Sequence, residues 1–84
     1  MILNWSDGML ELQSRGARGL LGWSQSQLAE SAGLSLPTVK RFETGTGAKV
    51  SADAVAKMRT ALEVAGVEFI PESGGGAGVR LRKS

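Results

Sequence analysis

The chain has 84 residues, enough for one folded domain with a modest hydrophobic core. It contains neither cysteine nor histidine, which excludes disulfides, metal centres built from those residues and catalytic triads that need them. Ten Lys and Arg residues against eight Asp and Glu residues give a formal charge of +2, a weak indication of an anionic partner. We therefore expect a binding protein rather than an enzyme, with no metal and no other cofactor.

The N-terminal residues do not have the pattern of a secretory signal. The stretch from Met1 to Asp7 carries neither a positively charged start nor a long apolar segment. No apolar run in the chain approaches the length of about 20 residues that a membrane-spanning helix needs. We expect a soluble cytoplasmic protein without a membrane partner.

Glycine and proline residues divide most of the chain into four predicted helices. The first helix runs from about Ser6 or Asp7 to Leu21, where a glycine follows. Its apolar residues recur near the helical period, so one face is expected to pack against the core. The residues of this predicted face are Met9, Leu12, Ala17, Leu20 and Leu21.

The second and third predicted helices are joined by a tight turn. Ser24 has the residue type of a helix N-cap, and Gly33 is suited to end the second helix. Ser35 offers a new N-cap two residues later, for a third helix over about Leu36 to Thr44. The inward side chains of the second helix are expected to be Leu28, Ala29 and Ala32.

The third helix has two contrasting faces. Val39 and Phe42 are three residues apart and are expected to face the core, with Glu43 at its margin. The opposite face is basic and has no apolar reason to be buried. It carries Pro37, Lys40, Arg41 and Thr44. Such a helix pair is typical of a helix-turn-helix that enters the DNA major groove, but paired helices are also common scaffolding in all-α domains.

A fourth helix is predicted after Ser51, which can cap it. Val55, Met58 and Leu62 follow at helical spacing and are expected to face the core. Gly66 is the natural residue to end this helix.

After the fourth helix the apolar period changes from 3.6 to 2, which predicts a β-hairpin. Residues 67–70 and 79–82 alternate apolar with charged side chains. The predicted apolar face consists of Val67, Phe69, Val79 and Leu81. Glu68 would lie near Arg80 or Arg82 on the other face. Because an isolated hairpin is only marginally stable in water, it should pack on the helices or pair with a second chain.

The predicted organisation is a helical domain over residues 1–66 followed by a hairpin extension over residues 67–84. Three uses of the hairpin's apolar face are open: pairing between two chains, contact with a different protein, or folding back over Trp5 and the first helix. We favour pairing between two chains. The four apolar residues of the hairpin are therefore predicted dimer or partner contacts.

Two stretches of the chain carry a family resemblance. Trp23 to Glu30 and Ala32 to Gly45 contain, in register, a Ser-Gln start, Leu-Ala, a glycine turn, a small polar cap, a β-branched residue and Glu-x-Gly. This pattern resembles the helix-turn-helix of the Cro/C1-type repressors, the XRE family, and the resemblance covers about Leu12 to Leu62. It implies a mainly α, lambda-repressor-like fold with DNA-binding activity, in a cytoplasmic, nucleoid-associated protein of prokaryotic type.

Position by position, the resemblance implies roles for individual residues. The positions that face base edges are Leu36, Pro37, Lys40 and Arg41. The positions that contact DNA phosphates are Gln25, Thr38, Thr44, Thr46 and Lys49. Arg18 and Glu43 correspond to a structural ion pair between the first and third helices. Leu36 and Pro37 depart from the polar residues of many relatives, so the operator sequence is not predicted.

Together these roles indicate a sequence-specific regulator of transcription that binds double-stranded DNA. A homodimer that represses by occupying an inverted-repeat operator is the favoured form. One alternative is the antitoxin of a toxin–antitoxin pair that controls its own promoter, with the tail holding the toxin. Others are a controller or excision protein of a mobile element, or a protein-interaction module that has lost DNA binding.

Overall fold

Four helices and a two-stranded antiparallel hairpin form the part of the chain that the computed structural model describes, residues 11–44, 50–70 and 78–82. The elements are α1 (Glu11–Leu21), α2 (Gln25–Ala32), α3 (Leu36–Thr44), α4 (Ala52–Val64), β1 (Val67–Ile70) and β2 (Gly78–Leu81). The predicted fold class, mainly helical with a C-terminal hairpin, is confirmed.

The turn between α2 and α3 has the local chemistry that its sequence predicts. The Ser24 hydroxyl caps α2 by accepting a hydrogen bond from the backbone N–H of Gln27 at 3.1 Å. In return, the side-chain oxygen of Gln27 accepts a hydrogen bond from the backbone N–H of Ser24 at 2.7 Å. Gly33 has a φ of 70°, the left-handed conformation that glycine adopts without steric cost, and it ends α2. The Ser35 hydroxyl then accepts a hydrogen bond from the Thr38 amide at 3.3 Å, at the start of α3.

The core lies between the four helices and one face of the hairpin. Its buried residues are Ala17, Leu28, Ala29, Val39, Met58, Leu62 and Val67. The predicted inward faces of α2, α3 and α4 supply most of them. At the start of α4, Ser51 accepts a hydrogen bond from the Ala54 amide at 3.1 Å, as its residue type predicts.

The inward face of α1 differs from the prediction. Leu12 is 71% exposed and Leu20 is 43% exposed, whereas Gln13 and Ser14 are buried. The reason is that polar partners hold this face of the helix: the Gln13 amide donates to a hairpin carbonyl at 3.2 Å, and the Ser14 hydroxyl donates to the carboxylate of Glu43. The expectation that Leu12 and Leu20 pack inward was therefore wrong.

The described part of α1 begins at Glu11. Its predicted start at Ser6 or Asp7 lies outside the described residues, as do Met9 and Trp5. The helix ends at the residue that the sequence predicts.

The hairpin has the predicted apolar face. Val67 pairs with Leu81, and Phe69 pairs with Val79, so these four side chains share one face as expected. Val67 is fully buried, and Phe69 and Val79 pack against the core. The Arg59 guanidinium carbon lies 4.8 Å from the centre of the Phe69 ring, which links α4 to β1 through a cation–π contact.

The outer face of the hairpin is charged. Arg80 Nε lies 2.7 Å from Glu68 Oε1, and Arg82 Nε lies 3.7 Å from Glu68 Oε2. Both predicted neighbours of Glu68 are therefore present. Opposite charges on one face and apolar side chains on the other both favour this register over a one-residue slip.

Packing of the hairpin on the helices corrects the predicted dimer contacts. Val67 is buried within its own chain and cannot touch a partner, and Phe69 and Val79 are half-buried against the core. Of the four predicted contacts only Leu81, which is 46% exposed, presents a large surface. The physical reason is that a two-stranded hairpin has no core of its own, so its apolar face completes the core of the helices.

This packing predicts a large difference between two identical substitutions. Val67→Ala should lower the free energy of unfolding by about 2 kcal/mol, because it leaves a cavity in the core. Val64→Ala, on the 82% exposed side chain at the end of α4, should change it by less than about 0.5 kcal/mol. Urea unfolding followed by circular dichroism measures both. Equal effects would contradict the assignment of the hairpin to the core.

Candidate nucleic-acid interface

Glu43 lies on α3 and is 1% exposed, although a carboxylate is costly to bury without partners. Arg18 of α1 forms a bidentate pair with it, with Nη2 2.7 Å from Oε1 and Nε 2.9 Å from Oε2. Ser14 Oγ donates to Oε2 at 2.5 Å, and Gln25 Nε2 donates to Oε1 at 3.1 Å. The ion pair implied by the resemblance is present, but Glu43 is fully buried rather than at the margin of the core.

The main chain of α3 is held by α1 as well. Arg15 donates through Nη1 to the carbonyl oxygen of Glu43, in the last turn of α3. A positive charge at the C-terminal end of a helix is favourable, because the last carbonyl groups have no partner within the helix. Arg18 also donates to the carbonyl oxygen of Trp23 at 3.1 Å, just before α2. These contacts tie α1 to both helices of the helix-turn-helix.

The charge state of Glu43 follows from two opposing effects. Burial raises the pKa of its carboxyl group, while hydrogen bonds from Arg18, Ser14 and Gln25 and the positive charge of Arg18 lower it. The net pKa lies below its ordinary value of 4.5. Glu43 is therefore an ionised hydrogen-bond acceptor at neutral pH, with a structural role. Among the residues described, every buried side-chain polar atom has a hydrogen-bond partner.

The opposite face of α3 is exposed, as its sequence predicts. The exposed side chains on it are Pro37, Lys40, Arg41 and Thr44. Arg41 Nε donates to the Pro37 carbonyl oxygen at 3.5 Å, and Thr44 Oγ1 donates to the Arg41 carbonyl oxygen at 3.2 Å. Both side chains therefore lie along the surface of α3, where a ligand that covers this face could contact them.

Two further predicted contact residues sit at the beginning of α3. Leu36 and Thr38 are half-buried, and the Thr38 hydroxyl lies 2.8 Å from the Ser35 hydroxyl. Thr46 and Lys49, which the resemblance assigns to phosphate contacts, lie outside the described residues.

Gln25, the first residue of α2, is a predicted phosphate contact, and its side chain is hydrogen-bonded to the ion pair of Arg18 and Glu43. It is half-buried, and one N–H of its amide points to Glu43. A side-chain amide has two N–H donors, so one can be directed to Glu43 while the other is directed to a ligand. The N-terminus of α2 is also the positive end of the helix dipole, which favours an anion.

Positive charge is concentrated near α3. Of the Lys and Arg residues in the described ranges, only three have no carboxylate of those ranges within 4.0 Å. They are Arg15, Lys40 and Arg41. The others form ion pairs with Glu43, Asp53, Glu63 or Glu68. The exposed face of α3 is thus a basic surface, formed by Lys40 and Arg41, whose charge is not neutralised within the described chain.

A family model described as a helix-turn-helix matches residues 15–69, more than half of the chain. The chain belongs to the Cro/C1-type helix-turn-helix family. It is therefore a DNA-binding regulator of the XRE type. No curated protein matches it in sequence. Of the described helices, none is both long enough and apolar enough to cross a membrane.

In this Cro/C1-type domain, two residues that hold α3 were missed by sequence reasoning. Ser14 and Arg15 have no predicted role, yet the first binds the Glu43 side chain and the second its carbonyl group. The available signal was spacing, because Ser14 precedes Arg18 by four residues and therefore lies on the same helix face. A search for apolar periodicity alone passes over such a residue.

The hydrogen-bonded cluster of Glu43 with Arg18, Ser14 and Gln25 predicts that the stability of this regulator depends on Glu43 and on pH. Glu43→Gln should lower the free energy of unfolding near neutral pH by about 3 kcal/mol, because Arg18 loses its counter-charge in a mostly buried site. In the wild type this contribution is fully present above the ordinary carboxyl pKa and is lost as the pH falls through the lowered pKa of Glu43, because the unfolded chain takes up the proton first. Urea unfolding over a pH series measures both effects.

Glu30→Gln, on an exposed glutamate of α2, is the matched control. It should keep the acid-induced loss, since Glu43 remains in place. A Glu43→Gln protein as stable as the wild type near neutral pH would show that the carboxylate is not needed.

Proposed function

We propose that this chain is a sequence-specific repressor that binds double-stranded DNA as a homodimer at an inverted-repeat operator. The observation that carries the proposal is the basic surface of Lys40 and Arg41 on α3. Its opposite face is fixed to the rest of the domain by Glu43. A helix that is rigidly held and exposes hydrogen-bond donors is suited to the major groove. The site of action is the cytoplasm and its nucleoid, and no cofactor takes part.

Base reading is assigned to the exposed side of α3. The fork of Arg41 matches O6 and N7 of guanine, and Lys40 serves a base or a phosphate. Leu36 and Pro37 offer no side-chain hydrogen bond and are suited to contact thymine methyl groups. Specificity therefore depends mainly on Arg41.

Phosphate contacts are assigned around the ends of the helices, where they set the position of the domain on DNA. Gln25 contributes its side-chain amide at the N-terminus of α2. The other assigned residues are Thr38, Thr44, Thr46 and Lys49. Because these contacts do not read bases, their loss should weaken binding to all sequences alike.

The homodimer would place two α3 helices about one DNA turn apart. Membership of the Cro/C1-type family supports the homodimer, because a two-fold symmetric regulator binds two equivalent half-sites of an inverted repeat. Of the four hairpin residues predicted as contacts, Leu81 is the one that stays exposed and available for a contact between chains. The buried face of the hairpin takes no part in that contact.

Selection of bound sequences from random DNA tests the proposal. The wild type should enrich inverted repeats whose half-sites lie about 10 base pairs apart. Arg41→Ala should reduce discrimination at one base position in each half-site by about 1–3 kcal/mol. Arg80→Ala makes the same change on the hairpin, where Arg80 pairs with Glu68, and should select the wild-type sequence.

Three outcomes would count against parts of this proposal. No affinity for any DNA in a low-salt gel shift would contradict the regulator and favour a protein-interaction module. Enrichment of single, unrepeated half-sites would contradict the homodimer. Unchanged base preference in Arg41→Ala would contradict the role of Arg41 in specificity.

A further inference from the structure

We infer that Ser14 is a positioning residue for the phosphate contact of Gln25 and that it acts through the carboxylate of Glu43. This inference rests on the proposed DNA binding. It adds to the interface a buried residue of α1 that does not touch DNA itself.

Ser14 is a polar residue at a buried position. It is fully buried on α1, and its hydroxyl donates to Glu43 Oε2 at 2.5 Å. An alanine would fill nearly the same volume without a hydroxyl group to bury. Arg18 already neutralises the carboxylate with a bidentate pair. Charge compensation therefore does not account for Ser14.

The geometry of the carboxylate gives Ser14 a different effect. Rotation about the last side-chain torsion of a glutamate is soft, so the plane of the carboxylate is set by its hydrogen-bond partners. Ser14 holds Oε2, while Gln25 Nε2 lies 3.1 Å from Oε1. Arg18 contacts both oxygens, and the additional donor from Ser14 on Oε2 restricts the remaining motion of the carboxylate and with it the position at which Oε1 meets Gln25.

Gln25 benefits from such a fixed acceptor. A glutamine side chain loses considerable rotamer freedom when it is held in one conformation, and this loss weakens binding if it occurs only on contact with DNA. The hydrogen bond to Glu43 orders the amide before DNA arrives. Without Ser14 the carboxylate keeps its pair with Arg18 but loses the additional donor on Oε2, so the carboxylate has more freedom of motion, the Gln25 amide has more conformations, and the phosphate contact becomes weaker.

A double-mutant cycle on the full chain tests this coupling, with the operator obtained by selection as the DNA probe. Ser14→Ala should weaken binding about three- to tenfold, and by a similar factor for operator variants, because no base contact is changed. In the background of Gln25→Ala, the same Ser14→Ala change should alter affinity by less than about twofold, because the contact on which it acts is absent.

A stability control separates positioning from general loosening of the fold. Leu62→Val removes volume from the core on α4, from which no described hydrogen bond to Glu43 comes, and should lower the melting temperature without weakening DNA binding. NMR relaxation of the Gln25 side-chain amide should show greater motion in Ser14→Ala and unchanged motion in Leu62→Val. All binding measurements are made where circular dichroism shows each variant to be folded.

The inference is overturned if Ser14→Ala weakens binding equally with and without Gln25, or if it leaves wild-type affinity unchanged. Equal losses of affinity in Ser14→Ala and Leu62→Val would overturn it too, since stability alone would then explain both. A wild-type protein that binds no DNA would instead contradict the proposed function, so the two failures are distinguishable.

Discussion

The buried carboxylate of Glu43 is the constraint on which the proposed DNA-binding surface of α3 depends. It joins α1, α2 and α3 through Arg18, Gln25 and Ser14, and its own carbonyl group is held by Arg15. A buried ion pair is not by itself evidence of high stability, because removing two charges from water has a large free-energy cost. Its effect here is geometric: α3 can expose a polar, basic face to solvent because Glu43, together with Val39 and Phe42, determines which side of the helix faces inward.

The hairpin has a different part in the same architecture. Its apolar face closes the core against α1 and α4, with Val67 fully buried and Arg59 stacked on Phe69. The apolar face of the hairpin is therefore mostly covered by its own chain, and Leu81 is the predicted contact that stays exposed. The hairpin packs on α1 and α4. The exposed face of α3, the proposed DNA-binding surface, is therefore not covered by the described part of the hairpin.

The parts that the sequence predicts are those with local causes. The caps at Ser24 and Ser51, the turn at Gly33 and the exposed face of α3 follow from residue type and spacing over a few positions. The inward face of α1 does not, because polar partners distant in sequence replace the apolar contacts that periodicity assumes. Alternation likewise predicts the hairpin and which of its side chains share the apolar face, but it does not show whether its own chain or another covers that face.

The distribution of paired and unpaired cations links the Glu43 cluster to the proposed DNA binding. In the described chain the cations of α4 and the hairpin are paired with carboxylates, as is Arg18, whereas Arg15, Lys40 and Arg41 are not. The exposed face of α3, which we propose contacts DNA, is therefore basic although the net charge is only +2. The central claim is that hydrogen bonds and the charge of Arg18 keep Glu43 ionised despite its burial. An NMR titration of the Glu43 side-chain carboxyl carbon tests it most directly: the account predicts a midpoint below the ordinary pKa of 4.5, and a midpoint at or above that value would contradict it.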